Sequence, residues 1–384
     1  MPTISNNKDC GRRLARPPVH KVADYPKVVD VVVAGGGPAG ATTALLTARA
    51  GISTLLLESS DGRAQRIGET LPPVANRLLH ELSLWKAFSA QKHHVSEGIF
   101  SAWTDARAKQ NDFFLSAQGA GWNLDRNRFD AMLLHAAESA GAVVCAPSKL
   151  LSCSREPDRR WFVEFTHHGQ KHRTTARYLV DATGKSGAGA LQSLSPRLVQ
   201  DRLIGVATFL RCADTGCYTI VEAVDDGWFY SARLPQGSFA VVYFTDSDIY
   251  SAKRKENPSY WSSQLQKTHY TRDRIGKAAV PRQLTIVSAA TTRRVQFSGD
   301  GWVAVGDAAQ SFDPLSSLGI YKALDSASRA CDFVVNNRDG KGQDASYANW
   351  SEEVFQCYGR QRTEHYRNQT RWSGSSFWER RRTH

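Results

Sequence analysis

The sequence has no long hydrophobic run and no closely paired cysteines. Its most continuous apolar stretch, residues 28–34, contains Asp30 and is far shorter than the ~20 residues that a membrane-spanning helix needs. The basic N-terminal residues lack the apolar core of a secretory signal. The seven cysteines are irregularly spaced without a CxxC pair, which argues against a disulfide framework and structural zinc. We therefore expect a cytoplasmic protein with reduced thiols, no metal site and no role at a membrane.

The composition is that of an ordinary globular protein. Of 384 residues, 41% are hydrophobic and 22% are charged, which excludes disorder along the whole chain and provides a core for one or two domains. The formal net charge of +12 is concentrated at the ends, because residues 1–27 carry +4 and residues 357–384 carry +5. Such ends either guide the protein to an acidic partner or are solvated tails. No zinc finger, RNP motif or basic helical repeat indicates nucleic-acid binding.

Hydrophobic periodicity divides the chain into a βαβ core, an inserted β-rich segment and a helical end. Continuous β-branched runs predict buried strands, and apolar residues at helical spacing predict helices. The predicted strands are 28–34, 53–58, 161–166, 178–182, 204–211, 219–224, 227–234, 239–244 and 302–305, and the predicted helices are 38–50, 71–84, 127–140, 320–336 and a stretch after 345. The expected units are a basic tail (1–27), a discontinuous nucleotide-binding domain (28–196 and 291–340), a β-sheet substrate domain (197–290) and a helical, basic end (341–384).

A glycine-rich turn, GGGPAG, follows the first predicted strand and opens the first predicted helix. Gly35, Gly37 and Gly40 match the GxGxxG pattern of dinucleotide binding. Gly35 would permit the tight turn, Gly37 the approach of a pyrophosphate, and Gly40 the close packing of helix on strand. The first residues of the helix, Pro38 and Ala39, would present its N-terminal N–H groups to the phosphates.

An acidic residue ends the second predicted strand. Glu58, followed by Ser59, can accept hydrogen bonds from both ribose hydroxyls of a bound dinucleotide. A carboxylate at this position favours an unphosphorylated ribose, and therefore FAD or NAD over NADP.

Two later predicted strands, each ending in a short motif, help to distinguish FAD from NAD as the cofactor. Residues 178–184 read YLVDATG, and residues 302–307 read WVAVGD and run into a further helix. These elements occur in the same order in glutathione-reductase-type flavoproteins, where the late GD faces the ribitol and pyrophosphate of FAD and the next helix points at the flavin. The likeness favours FAD, and it adds four candidate cofactor residues: Asp181, Gly184, Gly306 and Asp307.

Over residues 28–335 the sequence resembles the FAD-dependent monooxygenase and halogenase superfamily. The resemblance implies an α/β (α+β) fold like that of p-hydroxybenzoate hydroxylase, with a Rossmann FAD-binding domain and an inserted mixed β-sheet substrate domain. A narrower set of motifs is similar to the LodB/GoxB-type flavoproteins and the related flavoenzyme of quinohemoprotein amine dehydrogenase maturation. These motifs are RIGETLPP (66–73), WNLDRNRFDAML (122–133), GWFYSARLP (227–235), GDAAQSFDPLSSLGI (306–320) and SFWERR (376–381).

This narrower resemblance implies a protein substrate. The LodB/GoxB group is needed to make cysteine tryptophylquinone in a partner enzyme, by hydroxylating a tryptophan in the partner's precursor chain. The implied partners are thus the precursor of a quinone-cofactor amine or amino-acid oxidase, molecular oxygen and an unidentified electron donor. No second GxGxxG occurs. Electrons would therefore come from a transient pyridine nucleotide, a separate reductase or another donor.

Three other functions stay open at this stage. The first is hydroxylation or halogenation of a small aromatic, because halogenases share the fold. Tryptophan halogenases, however, carry a lysine and a glutamate where this chain has Ile99 and Ser316, with Trp103 four residues after the lysine position. The second is saturation of isoprenoid lipids, which usually needs an apolar tunnel. The third is a flavoprotein that binds the precursor as a chaperone without turnover.

Two loops are expected to face the flavin, and they hold the candidate catalytic residues. Glu69 lies in one, and Asp313 and Ser316 lie in the other. The two acids could each handle a proton. The structural alternatives are a loop or cap hydrogen bond for Glu69 and an Asx turn for Asp313. Further expected cofactor contacts are Arg66, Arg126, Pro314, Gly319 and Ile320, with a surface salt bridge as the alternative for Arg126. Neither loop has a histidine or cysteine, so non-covalent FAD is expected.

Overall fold

The computed structural model describes residues 25–62, 66–113, 116–187, 189–212, 216–257, 259–276, 283–338 and 345–382. The predicted basic tail lies outside these ranges except for residues 25–27. The strands are β1 Val28–Ala34, β2 Thr54–Leu57, β3 Thr70–Leu71, β4 His94–Ser96, β5 Gly98–Ala102, β6 Lys109–Asp112, β7 Gly121–Asn123, β8 Val143–Cys145, β9 Ser148–Arg155, β10 Trp161–His167, β11 Gln170–Asp181, β12 Arg197–Val199, β13 Leu203–Arg211, β14 Tyr218–Val224, β15 Gly227–Arg233, β16 Ser238–Asp246, β17 Thr285–Ser288, β18 Thr292–Arg294, β19 Ser298–Gly299, β20 Trp302–Ala304 and β21 Gln310–Ser311. The helices are α1 Pro38–Arg49, α2 Val74–Glu81, α3 Trp85–Ala90, α4 Arg126–Ser139, α5 Ser247–Glu256, α6 Tyr260–Gln266, α7 Tyr270–Ile275, α8 Gly319–Asn336, α9 Ser346–Arg367 and α10 Ser376–Arg382.

The first sheet has a parallel centre with the order β19-β20-β11-β1-β2-β8. Antiparallel β10 and β9 extend it beside β11. Ala34 lies opposite both Leu57 and Asp181, and Asp181 lies opposite Ala304. Because parallel strands end at the same edge, the loops after these residues converge at the carboxyl edge, where open α/β sheets bind their ligands. The predicted Rossmann-type half of the fold is confirmed.

The second sheet has the order β17-β13-β16-β15-β14-β5-β6. The strands β13 to β16 are those predicted for the inserted segment. The strands β5 and β6, however, come from residues 98–112, which the sequence placed with the nucleotide-binding domain. Strand β5 runs parallel to β14, with Gly98 opposite Tyr218. The mixed sheet is confirmed, and its extra strands escaped prediction because this pairing joins distant parts of the chain and leaves no local pattern.

The predicted helix 71–84 is shorter in the structure. Residues 70 and 71 pair with β7 as a strand, and α2 begins at Val74. The reason is the tandem Pro72 and Pro73, because a residue before proline is pushed away from helical dihedrals. None of the described helices combines the length and apolarity needed to cross a membrane.

The C-terminal basic segment packs onto the body of the protein. Tyr366, Phe377 and Trp378 are buried in a cluster with Trp103 and side chains of the second sheet. The Arg381 side chain is 2% exposed and its Nη2 lies 2.6 Å from Oδ1 of Asp246. Part of the C-terminal charge is therefore neutralised inside the structure, so this segment is not a solvated tail. Arg360 and Arg367 stay exposed, and an electrostatic guide for an acidic partner remains a prediction for them.

Candidate flavin site

The glycine-rich turn lies at the carboxyl edge of β1. Gly35 has a φ of +110°, and a Cβ atom there would overlap the carbonyl oxygen of Ala182. A Cβ at Gly40 would overlap the carbonyl oxygen of Gly35. At Gly37, by contrast, the nearest atom to an added Cβ is Nη1 of Arg66 at 3.9 Å. The fold itself thus requires glycine at positions 35 and 40, whereas position 37 faces open space beside the N-terminus of α1.

Glu58 closes this turn from β2. Its Oε2 accepts a hydrogen bond from the N–H of Gly36 at 2.5 Å, and its Oε1 accepts from the N–H of Ser60 at 2.7 Å. The Nη2 of Arg66 lies 3.3 Å from Oε1. A carboxylate offers about four acceptor sites, so capacity remains for a ribose hydroxyl. Ser59, beside it, is exposed.

Two arginines meet at one carboxylate next to the turn. Nη1 of Arg66 lies 2.9 Å and Nη2 of Arg126 lies 3.2 Å from Oδ2 of Asp130. Arg126 also donates to the carbonyl oxygen of Gly68 at 2.9 Å. Arg126 thus forms a salt bridge, as the alternative expected, but one that is largely buried because its side chain is 11% exposed. Arg66 therefore stands beside the open space at Gly37, and Arg126 shares its carboxylate partner, so the charge of a pyrophosphate could be met by these cations.

Asp181 faces into the protein. Its Oδ1 accepts from the N–H and hydroxyl of Thr183 at 3.0 and 2.6 Å, and its Oδ2 pairs with the buried Arg294. The geometry therefore favours a role in holding the turn after β11 and not the cofactor contact expected for this carboxylate. Gly184, in that turn, has a φ of +70° and accepts a hydrogen bond from Arg197 at 3.1 Å.

The GD turn joins α1 to α8. Gly306 has a φ of +57°, and an added Cβ would lie 2.8 Å from the Cβ of Ala39. The Oδ1 of Asp307 lies 3.2 Å from Nζ of the buried Lys322. Burial alone would raise the pKa of Asp307, but Lys322, with Lys185 nearby, brings that pKa below its usual value. Asp307 is thus an anion held on a buried cation.

Lys322 was missed in the sequence. It lies on the buried face of α8 between Ile320 and Ala323, and its Nζ stands 4.2 Å from the centre of the Phe312 ring. The available signal was a lysine among apolar residues in the segment GIYKAL. A charged residue that is buried this way needs a partner, which Asp307 supplies.

Glu69 is a buried acid without a side-chain hydrogen-bond partner among the described residues. Its side chain is 2% exposed, and neither carboxylate oxygen makes a hydrogen bond of normal geometry within the described residues. Burial raises the pKa of Glu69 to about 7, although Arg126 acts in the opposite direction. Tyr230 stands beside it and shares a hydrogen bond of 2.6 Å with the Thr70 hydroxyl. The backbone N–H groups of Gly68 and Glu69 also act to lower the pKa of Glu69, so the alternative of a loop hydrogen bond stays open for this residue.

Asp313 differs from Glu69, because its carboxylate is engaged. Oδ1 accepts from the N–H of Leu315 at 3.0 Å, which is the Asx turn considered as the alternative. Oδ2 accepts from the hydroxyl of Tyr366 at 2.7 Å. Ser316 donates its hydroxyl to the carbonyl oxygen of Asp313 at 3.0 Å. Geometry therefore favours Glu69 over Asp313 as the group that handles a proton.

Helix α8 begins at the end of this second loop. Pro314 opens the short turn that Asp313 caps, and α8 starts at Gly319 and Ile320. The N-terminus of α8 thus follows the loop that is expected to face the flavin. Three residues of α9 also reach the loop, and sequence reasoning missed them: Tyr358, Arg362 and Tyr366. Their spacing of four residues was the available signal, because it sets them on one face of a helix.

The turn at Gly37, the carboxylate of Glu58 and the paired arginines together define a dinucleotide-binding flavoprotein. The model of the FAD binding domain family matches residues 28–357. LodB of Marinomonas mediterranea, named as an FAD-dependent oxidoreductase, is 33% identical over 359 residues, which cover 92% of this chain and 96% of LodB. The chain belongs to the FAD binding domain family, and the resemblance to LodB-type flavoproteins is confirmed.

Solved structures show the same fold. The myxobacterial chondrochloren halogenase CndH superposes with a TM-score of 0.83 at 22% identity, covering 93% of this chain and 86% of the halogenase. QhpG, a peptidyl tryptophan dihydroxylase essential for tryptophylquinone cofactor biogenesis, superposes with a TM-score of 0.74 at 23% identity, covering 92% of this chain and 78% of QhpG. The expected fold class is thereby confirmed.

The residues of the site fit FAD. The space at Gly37 would receive the pyrophosphate, with Arg66 beside it, Arg126 next to Arg66 at Asp130, and Glu58 at the ribose. The unpartnered carboxyl of Glu69 lies in the loop expected over the flavin. The space at Gly37 would thus be open to the cofactor, and the carboxyl of Glu69 would be open to the substrate.

Proposed function

We propose that this flavoprotein is a monooxygenase that hydroxylates a tryptophan side chain in the precursor of a partner oxidase, during the biogenesis of cysteine tryptophylquinone. Similarity to LodB over nearly the whole of both chains supports this proposal. The fold shared with QhpG, whose substrate is a peptidyl tryptophan, supports it further. The precursor is then the partner, and molecular oxygen and an electron donor are co-substrates.

Glu69 is the observation that carries the proposal. Bound and reduced, FAD supplies the activation of molecular oxygen for attack on an electron-rich ring such as indole. When oxygen replaces hydrogen on that ring, the ring carbon loses a proton that the site must take up. A carboxyl group with a pKa of about 7 can both accept and return a proton at neutral pH. Its buried position keeps that proton away from bulk water.

The surroundings of Glu69 suit an aromatic substrate. Ile67, Ile99, Leu315 and Tyr230 are partly buried and pack against one apolar cluster that includes Trp103. These side chains come from both predicted flavin loops and from the second sheet. Such an apolar surface would orient an indole by contact, and Glu69 would accept the proton that the ring carbon loses.

Halogenation or hydroxylation of a small aromatic is the second candidate, and the shared fold with CndH favours it. A halogenase of the tryptophan type would need an ammonium group at position 99 and a carboxylate at position 316. In this chain Ile99 packs against an apolar cluster, and the Ser316 hydroxyl donates a hydrogen bond to the carbonyl oxygen of Asp313. Both positions therefore support hydroxylation over halogenation.

Mass spectrometry of a co-expressed precursor tests the proposal. We expect one tryptophan-containing peptide to gain mass in multiples of one oxygen when the precursor is produced with this protein. Omission of the protein should leave that tryptophan unmodified, and Glu69→Gln should reduce the gain while FAD remains bound. Maturation without this protein, or turnover of free tryptophan while the precursor is ignored, would replace the proposal with the small-aromatic function.

A further inference from the structure

A large cleft lies between helix α9 and the segment that joins β12 to β13. Its volume is about 1470 Å³, which is far more than one aromatic side chain fills. The segment 199–202 forms one wall, and α9 forms the other. Seven arginines and four carboxylates line it, so the cleft carries positive charge. Glu69, the proposed proton acceptor, is not among the residues that line this cleft.

Two of the lining arginines stand apart from the rest. Arg202, Arg293, Arg362, Arg380 and Arg381 are each paired with an aspartate or glutamate. Arg360 and Arg367, about two turns apart along α9, are exposed to solvent. Nε of Arg367 donates to the carbonyl oxygen of Arg382 at 3.0 Å, and its other N–H groups, like the guanidinium of Arg360, are available to a negatively charged ligand in the cleft.

Strand β12 contributes Val199 to the wall of the cleft and has an open edge. Strand β12 ends its three-stranded sheet, in which it pairs only with β18 among the described residues. Leu198 lies opposite Arg293, and the bond from Gln200 N–H to Thr291 continues the same ladder. In an antiparallel pair the alternate residues point away from the partner, so Arg197 and Val199 direct their N–H and C=O groups to the open side.

Exposed apolar side chains mark the same edge. Leu198 is 50% exposed, Val199 is 64% exposed, and Val295, at the end of β18, is 48% exposed. An apolar strand with an open edge is a ready site for a further strand, which proteins otherwise protect with charge or cover. Strand addition by an extended peptide uses such an edge for affinity and neighbouring pockets for specificity.

The cleft also reaches the active-site loop. Arg362 lines the cleft, and its Nη2 lies 2.9 Å from Asp201 on the cleft wall. Its Nε lies 3.5 Å from Oδ2 of Asp313, in the loop before α8. A chain bound in the cleft is thus one side chain away from the loop predicted at the flavin.

We propose that this cleft binds an extended, acidic segment of a polypeptide, which pairs with the edge of β12 and places carboxylates on Arg360 and Arg367. The inference rests on the proposed function, because the segment would belong to the protein substrate. Charge complementarity and the open strand edge together select an extended acidic chain over a small molecule or a nucleic acid.

Binding of a defined peptide tests the cleft directly. The probe is a fluorescein-labelled ten-residue peptide of alternating glutamate and valine, and the charge control replaces each glutamate with lysine. Fluorescence anisotropy on the FAD-loaded protein should show binding of the acidic peptide, weakening as salt rises. The charge reversal Arg360→Glu/Arg367→Glu should weaken this binding about tenfold or more, and Leu198→Ser/Val199→Ser should weaken it as well.

A second exposed edge supplies matched controls. Lys149 and Leu151 lie exposed on edge strand β9, and exposed Lys171 lies on β11, across β10 from Lys149 because both lysines are opposite Thr166. The variants Lys149→Glu/Lys171→Glu and Leu151→Ser should leave peptide binding unchanged. Circular dichroism and the flavin spectrum establish that each variant is folded, and Arg360→Gln/Arg367→Gln serves if the reversal does not fold.

Several results would overturn the cleft proposal. Absence of acidic-peptide binding would do so, as would equal loss in the β9 controls, because binding would then be unspecific electrostatics. A dimer that dissociates in Leu198→Ser/Val199→Ser would assign the edge to a second copy of this chain. Failure of the proposed function looks different: the peptide would bind at the cleft, yet no precursor tryptophan would gain oxygen.

Discussion

The hydroxyl of Tyr366 donates a hydrogen bond of 2.7 Å to Oδ2 of Asp313, and this bond ties α9, the longest of the described helices, to the loop before α8. Both residues are buried, and Asp313 also caps the turn through the N–H of Leu315. The C-terminal segment, which the sequence presents as a basic end, is therefore part of the support of the active-site loop.

Removal of that hydroxyl should loosen the loop. Tyr366→Phe leaves Oδ2 of Asp313 with Arg362 alone and removes the acceptor of the Trp228 Nε1–H bond at 3.2 Å, so we expect the free energy of unfolding to fall by about 1–3 kcal/mol. Urea unfolding followed by circular dichroism measures it. Tyr250→Phe is the matched control, since Tyr250 is buried but its hydroxyl makes no hydrogen bond within the described residues, and an equal loss there would contradict the prediction.

Gly37→Val should separate cofactor binding from folding. The protein leaves open space around Gly37, so a valine is accommodated by the fold but occupies the place expected for the pyrophosphate. We expect a folded protein without flavin absorbance. Gly40→Val should instead prevent folding, because its side chain would overlap the backbone at Gly35. A Gly37→Val protein with a full flavin spectrum would show that the cofactor lies elsewhere.

Glu69 should make stability depend on pH. Its pKa in the folded protein is about 7, above the ordinary value of 4.5, so folding favours the protonated form. That contribution is complete below about pH 4.5 and is lost as pH rises through 7. A shift of this size corresponds to about 3 kcal/mol. Chemical unfolding of wild type and Glu69→Gln at pH 5 and pH 8 measures it, and the wild type should lose stability relative to the variant at the higher pH.

FAD should be held without a covalent bond. The two loops expected at the flavin, residues 66–73 and 313–320, contain no histidine or cysteine that could form one. Precipitation with acid should therefore release the yellow colour into the supernatant. Flavin that stays with the precipitated protein would contradict this prediction and would require an attachment residue outside these loops.

The sequence alone predicted the elements that follow local rules. The strand 28–34 matches β1, and the predicted helices 38–50 and 320–336 match α1 and α8 to within one residue. Continuous β-branched residues, a proline at the first turn and glycines at the boundaries are all short-range signals. The glycine turn and Glu58 follow from the same signals, because motif and strand–helix context are adjacent in the chain.

Only the tertiary structure decided which distant groups meet. The pairing of β5 with β14, the contact of Tyr366 with Asp313 and the bond of Lys322 to Asp307 join elements whose spacing carries no local pattern. The same holds for the two loop acids, which the sequence could not rank. Burial without a hydrogen-bond partner raises the pKa of Glu69, whereas Asp313 is engaged by a backbone N–H and a tyrosine, and both environments are assembled by long-range packing.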